Sequence, residues 1–193
     1  MTKMSSLAEV ADRCSIGWRA LIHGYSTRLH GPNAANRWLT WIANERIAIG
    51  TIPTAESLGR LREEGVTHVV NCRSGAETWL SQDLAVERAV FGESRVAHAP
   101  MWDTGRRQRP NRWSRAVSFA CEALDEDSTA GVLIHCQQGS HRSVLVGYAV
   151  LRLRGHTPDV AARLILDHRA EGELLPAYAA SVEDWIACGQ PCV

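Results

Sequence analysis

The chain has 193 residues, with 21 basic and 21 acidic side chains and a formal net charge of zero. This length suits one domain with a substantial core, and the neutral balance gives no global reason to propose a nucleic-acid or membrane partner. No apolar stretch approaches the ~20 residues of a membrane span. Glu9, Asp12 and Arg13 interrupt any signal-peptide core. Six cysteines without regular spacing do not form a disulfide framework, so a reducing, cytoplasmic setting is expected.

Residues 1–43 read as a helical extension packing on a domain that begins at residue 44. Leu7, Val10, Ala11, Cys14, Trp18, Leu21 and Ile22 recur at helical spacing, and Gly31-Pro32-Asn33 breaks the pattern. Asn36 to Ile42, with Trp38, Leu39 and Trp41, reads as a second short helix. A lid or a partner surface is the other reading of this extension.

From Arg46 the pattern changes. Ile47-Ala48-Ile49-Gly50 is a strand, Thr54 caps a helix that ends near Gly65, and Thr67 to Asn71 is a second strand. That strand–helix–strand order implies parallel strands joined by a crossover. Thr78 to Val90 reads as one helix, and Arg95 to Pro100 as a further strand leading into the loop Met101-Trp102-Asp103-Thr104-Gly105. His68 and His98 lie within strands and read as structural. Arg106 to Arg115 carries the one strong local charge bias, either a solvated face or an attractor for an anionic substrate. A helix from Pro110 or Asn111 runs to the acidic Asp125-Glu126-Asp127.

Val132-Leu133-Ile134 then forms a buried strand, and Val144 to Leu151 is apolar on nearly all sides, as in a buried helix. Between them lies His135-Cys136-Gln137-Gln138-Gly139-Ser140-His141-Arg142-Ser143. A strand here hands over to a helix N-terminus, where free backbone N–H groups and the helix dipole suit an anion. A cysteine in that place should hold its thiolate well below the ordinary ~8.5. Arg142 adds a planar fork of donors matching two phosphate oxygens.

His135-Cys136-x-x-Gly139-x-x-Arg142-Ser143 resembles the phosphate-binding signature of the cysteine-dependent dual-specificity and protein-tyrosine phosphatases. The resemblance covers roughly Ile47 to Trp185. It implies an α/β fold, with a mainly parallel sheet of four or five strands and helices on both faces. It implies Cys136 as nucleophile, with a phosphate cradle of Gln137, Gln138, Gly139, Ser140, His141 and Arg142. Ser143 would stabilise the departing thiolate. The family carries its general acid on a loop after a strand, some thirty residues before the cysteine. Asp103 precedes Cys136 by 33 residues and is the one acid between Glu93 and Glu122. Such a carboxyl can protonate the leaving oxygen and then activate water against the phosphocysteine.

His135, Asn71 and Arg169 are expected to support the loop, Arg169 because related phosphatases often carry an arginine near that position. Related phosphatases often have a Pro-Asn pair that bears on the acid loop; here Pro176 is followed by Ala177. Cys72, at the end of the strand from Thr67, resembles the second cysteine of some lipid-type and dual-specificity phosphatases, and a redox pairing with Cys136 follows from that. No cofactor or metal is implied. The expected substrate is a phosphorylated protein or another phosphate monoester. A phosphoinositide, an RNA 5′-phosphate, a non-cleaving phosphate-binding module and an arsenate-reducing protein are the alternatives.

Overall fold

The computed structural model describes residues 38–189. The expected helix from Ser5 to Leu29 and the break at Gly31-Pro32-Asn33 lie outside those residues, as does the start of the second short helix. Among the described residues, no helix is long and apolar enough to cross a membrane.

In chain order the elements are β1 (Leu39–Trp41), β2 (Ile47–Gly50), α1 (Ala55–Glu63), β3 (His68–Asn71), α2 (Gly75–Ser81), α3 (Asp83–Phe91), β4 (Val96–His98), α4 (Ser114–Glu126), β5 (Val132–His135), α5 (Arg142–Leu153), α6 (Pro158–His168) and α7 (Pro176–Ala187). Five strands form one sheet in the order β1-β2-β5-β3-β4. β1 is antiparallel to β2, and all other pairings are parallel. β2 and β3 are therefore parallel across the α1 crossover, but β5 lies between them.

Two expectations change in detail, and a third is met. Leu39–Trp41 is a strand, not part of a short helix, because its backbone pairs with Ala48 to Gly50. The single helix expected from Thr78 to Val90 is two, broken at Gln82 in the left-handed region with φ 57°. The N-terminal cap of α1 is as expected: Ser57 N–H donates to Thr54 Oγ1 at 3.1 Å, and Thr54 N–H donates back to Ser57 Oγ at 2.8 Å.

Alternation along the strands builds two cores. Ile47, Ile49, Val70, Val132 and Ile134 join one cluster with α4, α5 and α7, which includes Trp113, Leu145, Tyr148 and Trp185. Ala48, Val69 and Leu133 point the other way, into a smaller cluster with Leu58, Leu61 and Phe91 of α1 and α3. Each large apolar side chain so buried contributes roughly 1.5–3 kcal/mol. β5 and residues Arg142 to Leu151 of α5 are buried throughout. The loop joining them is therefore fixed at both ends at the carboxyl edge of the sheet, where open α/β sheets place their sites.

Candidate active site

Cys136 follows β5 directly and is only 1% exposed. Gly139 N–H donates to its Sγ at 3.2 Å, and Ser143 Oγ donates at 3.5 Å. Burial alone would raise the thiol, but the Arg142 charge and hydrogen bonds from Ser143 and the Gln138 backbone outweigh it. The Cys136 pKa lies below the usual thiol value.

The loop keeps its shape because its carbonyls are engaged from outside. Ile52 N–H donates to Gln137 O at 3.4 Å, and Glu173 N–H to Ser140 O at 2.8 Å. Arg169, fully buried, donates through Nε to Gly139 O at 2.7 Å, through Nη2 to Gln138 O at 3.3 Å and through Nη1 to Thr40 Oγ1 at 3.2 Å. These bonds turn carbonyl dipoles away from the sulfur. Gly139 has φ 69°, and a Cβ there would stand 2.5 Å from Gly50 O and 2.5 Å from Arg169 Nη2. Only glycine fits so close an approach. The side chain of Gln138 is exposed and that of Gln137 half-buried, and the carbonyls of both are engaged from outside the loop.

Arg142 opens α5. Its Nη1 donates to Glu77 Oε2 at 2.7 Å and to Met101 O at 3.1 Å, and its Nη2 donates to Glu77 Oε1 at 3.2 Å. Asp103 Oδ2 lies 3.8 Å from Arg142 Nε. Asp103 also meets His141 Nδ1 at 3.1 and 3.2 Å and accepts from the Tyr178 hydroxyl at 3.1 Å. Gln108 laces the acid loop together: its Nε2 donates to Trp102 O at 3.1 Å and to Arg106 O at 3.3 Å, and its backbone N–H to Ser181 Oγ at 3.0 Å. With alanine after Pro176, α7 reaches the acid loop through Tyr178, Ser181 and Asp184.

Beneath the loop is a buried polar cluster. His135 Nε2 lies 2.8 Å from Glu87 Oε1, with both side chains 0% exposed. Asn71 Nδ2 faces Asp83 Oδ2 at 2.8 Å and both Glu87 oxygens at 3.1 and 3.2 Å. Arg73 pairs with Asp83 at 2.8 Å. His135 and Asn71 thus lie under the cradle and do not line it. Burial alone would lower the imidazole pKa, but the Glu87 charge outweighs it, and His135 stands above the usual histidine value. His98 bonds Arg73 O at 2.8 Å, a structural contact as expected.

The structure brings Cys136, Ser143, Arg142, Asp103 and His141 together, with Arg169 behind the loop. Cys72 stands beside Cys136 across the β3–β5 pair, its N–H donating to His135 O at 2.8 Å. The exposed Arg106, Arg109 and Arg112 follow the acid loop, and Arg107 pairs with Asp184. Sequence reasoning missed Glu77, Tyr178, Glu87, Gln108 and Glu173. Ser74-x-x-Glu77 carries a helix-capping signal, but that signal says nothing of Arg142. Among the described residues, no cluster of three or more His, Cys, Asp or Glu side chains is arranged to hold a metal.

The architecture is the fold of the dual-specificity and protein-tyrosine phosphatases. PTPMT1 superposes with a TM-score of 0.64 at 19% identity, over 77% of this chain and 93% of that one. Tk-PTP in its active form gives 0.62 at 23%, over 76% and 94%, and human DUSP28 gives 0.63 at 18%, over 84% and 100%. No family model and no curated protein sequence matches the chain.

Proposed function

We propose that the protein is a phosphatase that hydrolyses phosphate monoesters through a phosphocysteine intermediate. One observation carries the reading: a thiol of lowered pKa sits in the loop leading into a buried helix, under the charge of Arg142, whose Nε lies 3.8 Å from Asp103. A phosphoryl group docks on the loop from Gln137 to Arg142. Cys136 attacks phosphorus in line as Asp103 protonates the leaving oxygen. Water then attacks the phosphocysteine with Asp103 as base, and Ser143 stabilises the departing thiolate. Preorganised N–H groups and the guanidinium carry the charge of the transferring group. The scheme needs no cofactor.

The substrate we favour is a phosphorylated protein, phosphotyrosine first. Trp102, 59% exposed and adjacent to Asp103, offers an aromatic face beside the acid for a phenyl ring. A second reading rests on the exposed Arg106 and Arg109 after the acid loop, which suit a more anionic ester such as a phosphoinositide. PTPMT1 has been solved in complex with PI(5)P.

The test is phosphate release by wild type and Cys136→Ser from an aryl phosphate, phosphotyrosine and phosphoserine peptides, and a phosphoinositide. Wild-type turnover lost in Cys136→Ser is the expected result. Phosphate binding with no turnover of any ester would make this a recognition module instead.

A further inference from the structure

The segment after the acid loop carries an arginine at every third position, Arg106, Arg109 and Arg112, and each is exposed. Arg107 between them is taken by Asp184, but among the described residues no carboxylate pairs with the other three. Their side chains are open to a ligand, while the backbone that carries them is fixed. Gln108 Nε2 donates to Trp102 O at 3.1 Å and to Arg106 O at 3.3 Å, so the two ends of the acid loop share one donor. Gln108 N–H donates to Ser181 Oγ at 3.0 Å, and the buried Trp113 donates through Nε1 to Gln108 O at 3.4 Å. Arg112 N–H donates to Arg109 O at 3.0 Å. Three guanidinium groups are thus presented from a held ledge that begins beside Asp103 and the exposed ring of Trp102.

A row of cations without an internal counter-charge repels itself and gains most from an external anion. An acidic protein segment could supply that anion, and so could a polyphosphorylated headgroup or an anionic bilayer. A carboxylate on the phosphate loop separates these cases. Glu173 is exposed, its N–H donates to Ser140 O at 2.8 Å, and its Oε2 lies 3.4 Å from His141 Nε2. A headgroup with further phosphates, or an anionic bilayer, would bring negative charge against Glu173 as well as against the arginines. A peptide can carry its acidic residues on one side of the phosphotyrosine alone, and so meet the arginines without meeting Glu173.

We propose that Arg106, Arg109 and Arg112 form a recognition ledge for acidic residues on one side of the phosphotyrosine in a protein substrate. The proposal rests on the phosphatase reading above and narrows its substrate class. The planar fork of each arginine matches the two oxygens of an Asp or Glu side chain. Trp102 takes the phenyl ring, and the ledge takes the carboxylates that follow it along the chain.

The experiment measures kcat/KM for phosphotyrosine peptides that differ only in carrying Glu, Gln or Lys on either side of the phosphotyrosine. A small aryl phosphate and a phosphoinositide in vesicles are measured alongside. Wild type is expected to favour Glu over Gln on one side by about 10-fold at low salt, mainly through KM, the sum of a few exposed ion pairs. The preference should shrink to about twofold near about 0.5 M salt. Arg106→Gln/Arg109→Gln/Arg112→Gln should bring the ratio to about one, and Arg106→Glu/Arg109→Glu should turn it in favour of Lys. A wild-type ratio near one, or an unchanged ratio in the glutamine variant, overturns the ledge while turnover of the aryl phosphate upholds the phosphatase reading. Phosphoinositide turnover that depends on the three arginines, with no peptide preference, overturns it in favour of a lipid substrate. A wild type that turns over none of these esters overturns the phosphatase reading, and fluorescence polarisation of the same peptides then decides the ledge. Binding that favours Glu and is evened out in the glutamine variant upholds it; binding blind to charge, or no binding, overturns it.

Discussion

Glu77 grips Arg142 through both carboxylate oxygens, at 2.7 and 3.2 Å. The same carboxylate accepts the Ser74 N–H at 2.8 Å and so closes the capping box of α2. Burial alone would raise the Glu77 carboxyl, but hydrogen bonds from Arg142 and Ser74 outweigh it and hold it below the usual range. It is ionised at neutral pH and fixes the plane of the guanidinium. Glu77→Ala should therefore cost about 100-fold in kcat/KM, the scale of a misplaced clamp. Glu77→Gln, which keeps one acceptor, should lose less. A melting curve separates this loss from the ~1 kcal/mol expected from the broken cap.

In the proposed mechanism the lowered Cys136 pKa should set the acid side of the activity profile. Its alkylation by iodoacetamide should rise with pH and level off below the ~8.5 of a free thiol. Ser143→Ala removes one stabilising hydrogen bond and should move that midpoint upward. Because the folded pKa is depressed, the associated stability is full above the unfolded value near ~8.5 and fades as pH falls through the folded one. Arg142→Lys should be severely impaired, since a point charge does not replace a planar fork. An unmoved midpoint in Ser143→Ala would remove the hydroxyl from this account.

Asp103→Asn should lose about 10²- to 10⁴-fold with phosphoserine peptides, whose leaving oxygen needs a proton, and far less with acidic aryl phosphates. Tyr178→Phe removes a donor to the same carboxylate and should show a weaker form of the same selectivity. Parallel rate measurements on the two substrate types decide both.

The parallel sheet and the site's central loop were legible in the sequence because their signals are contiguous. β2, β3 and β5 are short apolar runs bounded by loops, and Cys136, Gly139, Arg142 and Ser143 lie within eight residues of one another. β1 misled because Trp38, Leu39 and Trp41 fit either period, and pairing with β2 decided the outcome. The break at Gln82 carries no Gly or Pro to announce it. What was not legible is long-range. Glu77 is 65 residues from Arg142, and Tyr178 is 75 from Asp103. Such contacts follow from packing α2 and α7 against the loop, which no local window contains.

The His135–Glu87 contact should show as pH-dependent stability. The folded pKa of His135 is raised, burial opposing and the Glu87 charge prevailing. Its stabilisation is therefore full below the unfolded value near ~6.5 and is lost as pH rises through the folded one. Glu87→Ala leaves a buried imidazole without its counter-charge and should cost about 3–5 kcal/mol at acid pH. Denaturant melts across pH would test this, and a pH-independent loss in Glu87→Ala would assign the cost to packing.

Cys72 and Cys136 each follow the last residue of neighbouring parallel strands, in the register Asn71↔His135. Neighbouring strands lie about 4.8 Å apart, within the ~4.4–6.8 Å between Cα atoms that a disulfide needs. Both cysteines are free and buried. The Cys72 pKa is raised well above the usual value, by burial first and by Cys136 second. Peroxide should therefore meet one thiolate: Cys136 attacks the O–O bond, becomes a sulfenic acid and releases hydroxide. The Cys72 sulfur then attacks the sulfenic sulfur, the S–S bond forms, and water leaves. This captures the sulfenic acid before irreversible oxidation. Mild peroxide should inactivate wild type reversibly, with a Cys72–Cys136 crosslink in the peptide map. In Cys72→Ser, recovery by reductant should fall as exposure lengthens. Equal recovery in both proteins, with no crosslinked peptide, would leave Cys72 as a small apolar residue packed under the sheet edge.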